Sequence, residues 1–151
     1  MKYLHTMVRV AELEAAITFY RDVVGLIEIR RYENETGRFT NVFFAAPGDT
    51  NRAVKDSAPL LELTYNWPSE DGVKETYTSG RNFGHLAYEV DDIYAYCTAL
   101  TQKGVTINRP PRDGQMAFFK SPENISIEIL QAGEALEPIE PWVSQKNVGV
   151  W

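Results

Sequence analysis

The chain has two histidines, and both stand in the same frame: His5-Thr6-Met7-Val8-Arg9-Val10 and His85-Leu86-Ala87-Tyr88-Glu89-Val90, a His-x4-Val motif in each half. Downstream of each, a carboxylate sits inside an apolar run, Glu62 in Leu60-Leu61-Glu62-Leu63 and Glu128 in Ile125-Ser126-Ile127-Glu128-Ile129-Leu130. Imidazole and carboxylate are suitable ligands for Zn, Ni, Co or Fe, and four protein ligands can leave positions open for water or substrate. A charge among apolar neighbours is costly unless paired or coordinated, so the carboxylates admit two readings, ion pairing or metal ligation. Glu28, in Leu26-Ile27-Glu28-Ile29, is an internal control. It too lies between apolar residues, but its counterpart in the second half is Asn108, so it reads as an ordinary outward-facing residue. The chain has no CxxC or HExxH motif, and the metal reading rests on repetition.

That repetition extends to the elements that must position these residues. Leu13, Ile17, Tyr20 and Val24 form a helical stripe ending at Gly25, and Ile93, Cys97 and Leu100 form another ending at Gly104, where a helix C-terminus favours glycine. Each half then carries Phe-Phe-x-x-Pro, at Phe43 to Pro47 and Phe118 to Pro122, before its carboxylate strand. Five landmarks in the same order indicate a duplicated unit.

The pattern predicts an α+β fold of two tandem βαβββ modules. Module one covers 3–66, a linker 67–82 and module two 83–131; together, residues 1–131 form a single domain, followed by a tail at 132–151. Strands are expected near 3–10, 26–32, 39–46 and 60–66, with a helix at 12–24. The second copy repeats this with strands near 84–90, 105–109, 115–120 and 125–131 and a helix at 92–103. Side chains alternate faces along a strand. Ile125, Ile127 and Ile129 therefore face the helices while Ser126 and Glu128 face away, and Glu62, Thr64 and Asn66 oppose Leu61, Leu63 and Tyr65. Residues 48–58 are an insertion confined to copy one, among the polar segments that read as loops. The tail has no clear period; Trp142 and Trp151 are the residues able to dock it on the body.

Charge and composition exclude several classes. A net charge of −6 argues against a broad nucleic-acid surface, since phosphate binding needs clustered Lys and Arg. It leaves room for a small anionic substrate, for which one or two local Arg residues suffice. No apolar run of signal-peptide length follows Met1, and the longest apolar stretch, Val42 to Ala46, is too short to cross a membrane. Cys97 is the only cysteine, which fits a reducing cytoplasm, and its place on the helix stripe reads as a buried structural thiol.

His5 to Val10, Phe19-Tyr20, Gly25-Leu26, Leu61-Glu62-Leu63-Thr64-Tyr65-Asn66-Trp67, Phe83-Gly84-His85 and Ile127-Glu128-Ile129-Leu130 together resemble the glyoxalase I (lactoylglutathione lyase) family. That family belongs to the vicinal-oxygen-chelate superfamily. The resemblance runs from about residue 3 to 131, and the stretch from Leu61 to Trp67 is its most specific part.

The resemblance implies one divalent ion per site (Ni or Zn, with Co or Mn as further options) held by His5, Glu62, His85 and Glu128. Glu128 is the implied catalytic base, Glu62 belongs to the same catalytic set, and Arg9, Asn66 and Arg81 are the implied glutathione-binding residues. By alternation Arg9 shares the face of His5, roughly 13 Å along the strand, and Asn66 shares that of Glu62. The implied reaction converts the hemithioacetal of methylglyoxal and glutathione to S-lactoylglutathione, with glutathione as co-substrate.

A cytoplasmic homodimer is implied, with sites shared between chains as module one faces the partner's module two, and with neither nucleic acid nor membrane as partner. The sequence departs from the family at Ser121-Pro122-Glu123-Asn124, where relatives carry Asp-Pro-Asp-Gly. It departs also at the shorter Arg109 to Met116 hairpin, whose Arg109, Arg112 and Met116 are candidates for the glycyl end of glutathione. Two alternatives stand beside this reading. One is another metalloenzyme of the superfamily, a dioxygenase or a thiol transferase, which would use two His and one Glu. The other is a metal-free ligand-binding module of the same fold.

Overall fold

The computed structural model describes residues 1–78, 80 and 82–151. They form two units, Met1–Thr78 and Ser79–Trp151. The first contains β1 (His5–Arg9), helix α1 (Leu13–Thr18), β2 (Ile27–Asn34), β3 (Phe39–Ala45), helix α2 (Thr50–Asp56) and β4 (Leu60–Asn66). The sheet order is β1-β4-β3-β2, with β1 parallel to β4 and the other pairs antiparallel.

The expected helix at 12–24 runs as α1 and then as a π-helical turn, Phe19–Val24, closed by Gly25 at φ 91°. That left-handed conformation suits glycine, which has no Cβ to clash. One sheet face supplies the core, with Val8, Val42, Phe44, Leu61 and Leu63 buried, as are Ile17, Tyr20 and Val24 of the helical segment. Tyr20 and Phe44 rings meet at 6.5 Å. Each such side chain contributes about 1.5–3 kcal/mol on full burial, which holds the opposite sheet face in a fixed register.

The insertion at 48–58 is not a loop. A 3-10 turn, Pro47–Asp49, leads into α2, whose buried Ala53 packs with Phe43, Ala45 and Leu60. One small apolar residue among polar ones is too weak a periodic signal for a helix of seven residues, and tertiary packing decides its form.

The second unit repeats the plan with β5 (His85–Val90), helix α3 (Ile93–Gln102), β6 (Met116–Lys120) and β7 (Ser126–Gln131), ordered β5-β7-β6. Asp92 caps α3 by accepting from the Ala95 backbone N–H at 2.9 Å. Ile93, Cys97, Leu100, Phe119, Ile127 and Ile129 are buried.

The strand expected at 105–109 is reduced to a single antiparallel bridge between Arg109 and Phe118. The N–H groups of Asn108 and Arg109 both donate to the Phe118 carbonyl, at 2.7 and 3.1 Å, a bulge that ends the ladder. Pro110 and Pro111 follow and have no N–H to extend it.

The tail is docked on this second unit. Trp142 is buried, Tyr94 donates its hydroxyl to the Glu137 carbonyl at 3.1 Å, and Arg112 donates to the Gln145 carbonyl at 3.0 Å and to Asn147 Oδ1 at 2.8 Å. Among the described residues, no helix is long and apolar enough to cross a membrane.

Candidate metal centre

In the first unit Met7 of β1 lies beside Glu62 of β4 in parallel register. The open face of the sheet thus carries His5, Met7 and Glu62 together. His5 Nε2 is 2.8 Å from Glu62 Oε2. The carboxylate is buried, with 8% of the residue exposed, while the imidazole is open to solvent. Asn41 reaches the other oxygen, its Nδ2 donating to Glu62 Oε1 at 2.5 Å. Phe43, opposite Glu62 on β3, meets the His5 ring edge-on at 5.9 Å, and the Arg30 guanidinium lies 4.2 Å over the same phenyl ring.

The second unit builds the same arrangement from the second copy. Ala87 of β5 lies beside Glu128 of β7, as Met7 lies beside Glu62. His85 Nε2 is 3.0 Å from Glu128 Oε2, and Phe118 meets the His85 ring edge-on at 5.4 Å. Glu128 too is largely shielded, its side chain 13% exposed. Glu28, the internal control, is paired with Arg31 at 3.1 Å instead.

These separations fit a metal ion. Two ligands at right angles on an ion with bonds of 2.0–2.2 Å lie about 3 Å apart, and both His–Glu pairs have that edge. Each pair also offers the mixed N and O donors that borderline divalent ions accept. Among the described residues no three His, Cys, Asp or Glu side chains converge. Each unit brings together one His and one Glu.

Comparison with known proteins decides the family. Residues 2–129 match the model of the Glyoxalase/Bleomycin resistance protein/Dioxygenase superfamily. The chain belongs to that superfamily. It is 37% identical over 144 residues to a probable lactoylglutathione lyase of Vibrio parahaemolyticus, covering 92% of this chain and 96% of the relative. Lactoylglutathione lyase of Haemophilus influenzae is 38% identical over 136 residues, covering 87% and 93%. Among solved structures, the trypanothione-dependent glyoxalase I of Leishmania major superposes with a TM-score of 0.73 at 30% identity, over 87% of this chain and 86% of the other. This kinship places the chain among the lyases of the glyoxalase I branch.

Within this glyoxalase-superfamily frame the remaining site residues separate. Arg9 stands exposed on the face of His5, opposite Thr64, and Asn66 on the face of Glu62, opposite Phe39. Asn66 donates to Glu75 Oε1 at 3.2 Å. Arg81 lies outside the described residues. The two hairpin arginines are engaged locally, Arg109 with Asp113 at 2.7 Å and with the Met116 carbonyl, Arg112 with the tail.

Sequence reasoning missed Asn41 and Arg30, and read the two phenylalanines only as landmarks of the repeat. For Asn41 a signal existed: it is an amide two residues before Phe43 within an apolar strand, so strand alternation puts both on one face.

Proposed function

We propose that this chain is a lactoylglutathione lyase, isomerising the glutathione–methylglyoxal hemithioacetal to S-lactoylglutathione in the cytoplasm with one divalent ion, Ni or Zn, per site. The observation that supports it is the duplicated His–Glu pair, set on the open face of each sheet at ligand-to-ligand distance. His5, Glu62, His85 and Glu128 would hold the ion. When bound, it supplies Lewis-acid stabilisation of the negative charge that develops on the substrate oxygens.

The protein's own residues do the rest. Glu128 removes the proton from the carbon bearing sulfur and returns it to the neighbouring carbon, with the enediolate between the two steps. General acid–base catalysis of this kind typically contributes about 10²–10⁴-fold. Glu62 stays fixed between His5 and Asn41. Arg9, Asn66 and Arg81 hold the carboxylate and amide groups of the glutathionyl moiety, the cations by charge-assisted hydrogen bonds.

With one proposed ligand pair per unit, a complete site needs two modules. The kinship with glyoxalase I supports a homodimer in which module one of one subunit faces module two of the other around a two-fold axis. A buried Glu62 bonded to His5 favours four ligands over the two-His, one-Glu set of dioxygenases and thiol transferases. It also gives a metal-free binding module no use for the paired donors. The test is an assay with glutathione and methylglyoxal on apoprotein reconstituted separately with Ni, Co, Zn and Mn. Activity should return with Ni or Zn; apoprotein that gains no activity from any of the four would sink the reading.

A further inference from the structure

The two copies treat their equivalent phenylalanines differently. Arg30 lies opposite Phe43 on the neighbouring strand, and Arg109 bridges to Phe118 in the same way. In copy one the Arg30 guanidinium covers the Phe43 ring at 4.2 Å. In copy two the Arg109 guanidinium is turned to Asp113 and the Met116 carbonyl, and the ring has an indole as its neighbour. Trp151 lies against Phe118 with ring centroids 6.3 Å apart and planes at 35°. Phe118 is the ring that meets His85, so Trp151 stands one ring beyond a proposed metal ligand.

The tail is built to deliver this side chain. Val148 and Asn108 exchange two hydrogen bonds, Val148 N–H to the Asn108 carbonyl and Asn108 Nδ2 to the Val148 carbonyl, both at 2.9 Å. Gly149 then turns the chain at φ 64°, a conformation that side-chain-bearing residues rarely adopt. Docking itself does not need Trp151. Trp142, 5% exposed, and the Arg112 hydrogen bonds anchor the tail, while Trp151 remains 41% exposed with indole surface free for contact.

Resting on the lyase reading above, we propose that Trp151 is a specificity-determining residue. With Phe118 it forms an apolar wall that receives the hydrocarbon group carried by the glutathionyl sulfur, and it favours aryl groups over methyl. Copy one, with a cation over its ring, offers no equivalent surface.

The experiment is calorimetric titration of metal-loaded protein with S-benzylglutathione and S-methylglutathione, neither of which turns over. An aromatic contact of ordinary strength predicts that Trp151→Ala weakens the benzyl ligand about threefold to tenfold and the methyl ligand by less than about twofold. Gly149→Val, which keeps the indole but strains the turn that places it, should give the same selective loss. Equal weakening of both ligands, or no change in either, overturns the wall while leaving the glutathione reading intact. Wild-type protein that binds neither ligand overturns both.

Discussion

Asn41 donates from Nδ2 to Oε1 of Glu62 at 2.5 Å, and the matching position of the second copy, two residues before Phe118 as Asn41 is before Phe43, is Met116. Methionine has no amide to offer, so the carboxylates of the two halves differ in constraint. Glu62 has one oxygen toward His5 and the other held by Asn41; Glu128 has its contact to His85. In the proposed reaction this asymmetry would suit Glu62 to ligation and Glu128 to carrying the proton. Outer hydrogen-bond partners of ligands typically contribute about 10–100-fold to metal affinity. Asn41→Leu should therefore weaken Ni or Zn binding by about that factor in a chelator competition, and unchanged affinity would mean that the amide does not position Glu62.

Glu128→Gln should lower kcat by about 10²–10⁴-fold while substrate binding is largely kept, because an amide cannot accept the proton. Metal content measured alongside separates this from loss of the ion. Arg9→Ala and Asn66→Ala should instead raise KM, by about tenfold or more for a lost hydrogen bond to a charged group, with kcat little changed. Near-normal turnover in metal-loaded Glu128→Gln would rule it out as the base.

Much of this architecture was legible because the chain states it twice. The helices around Ile17 and Cys97 and the faces of Glu62 and Glu128 follow from period and alternation in both halves. What failed depended on single local events. The ladder at 105–109 yields to a bulge and two prolines, and α2 forms because Ala53 packs on Phe43, Ala45 and Leu60 of the two flanking strands. Trp151 carries no periodic signal; its place depends on Gly149 and on hydrogen bonds to Asn108 and Arg112.

Cys97 gives a pH signature independent of the site. Burial pushes its thiol from an ordinary 9.0 up to about 12, and burial raises the neighbouring Tyr96 hydroxyl as well. A raised folded-state pKa means stability that is complete below about pH 9 and falls as pH rises toward about 12. Cys97→Ala should make the urea midpoint fall less steeply between about pH 9 and pH 11 than in wild type. The native thiol should also react slowly with a disulfide reagent at about pH 8, and rapidly once unfolded. Identical alkaline slopes would contradict this.

Sharing of sites between chains can be tested with two inactive proteins. His5→Ala damages module one and Glu128→Ala damages module two. In a mixed dimer with shared sites, one site collects both lesions and the other neither. Co-refolding should then restore activity to about a quarter of wild type under random assortment. Absence of recovery, with mixed dimers demonstrated by mass, would place each complete site within one chain.

The most direct test of the central claim, that the two His–Glu pairs form one metal centre, is metal stoichiometry in wild type and in the two single-histidine variants. Protein saturated with Ni or Zn, desalted and analysed for metal, should hold one ion per chain. His5→Ala and His85→Ala should each lose that ion, since either removes a ligand from the same centre. Two ions per chain in wild type, or full retention of metal by either variant, would contradict the account.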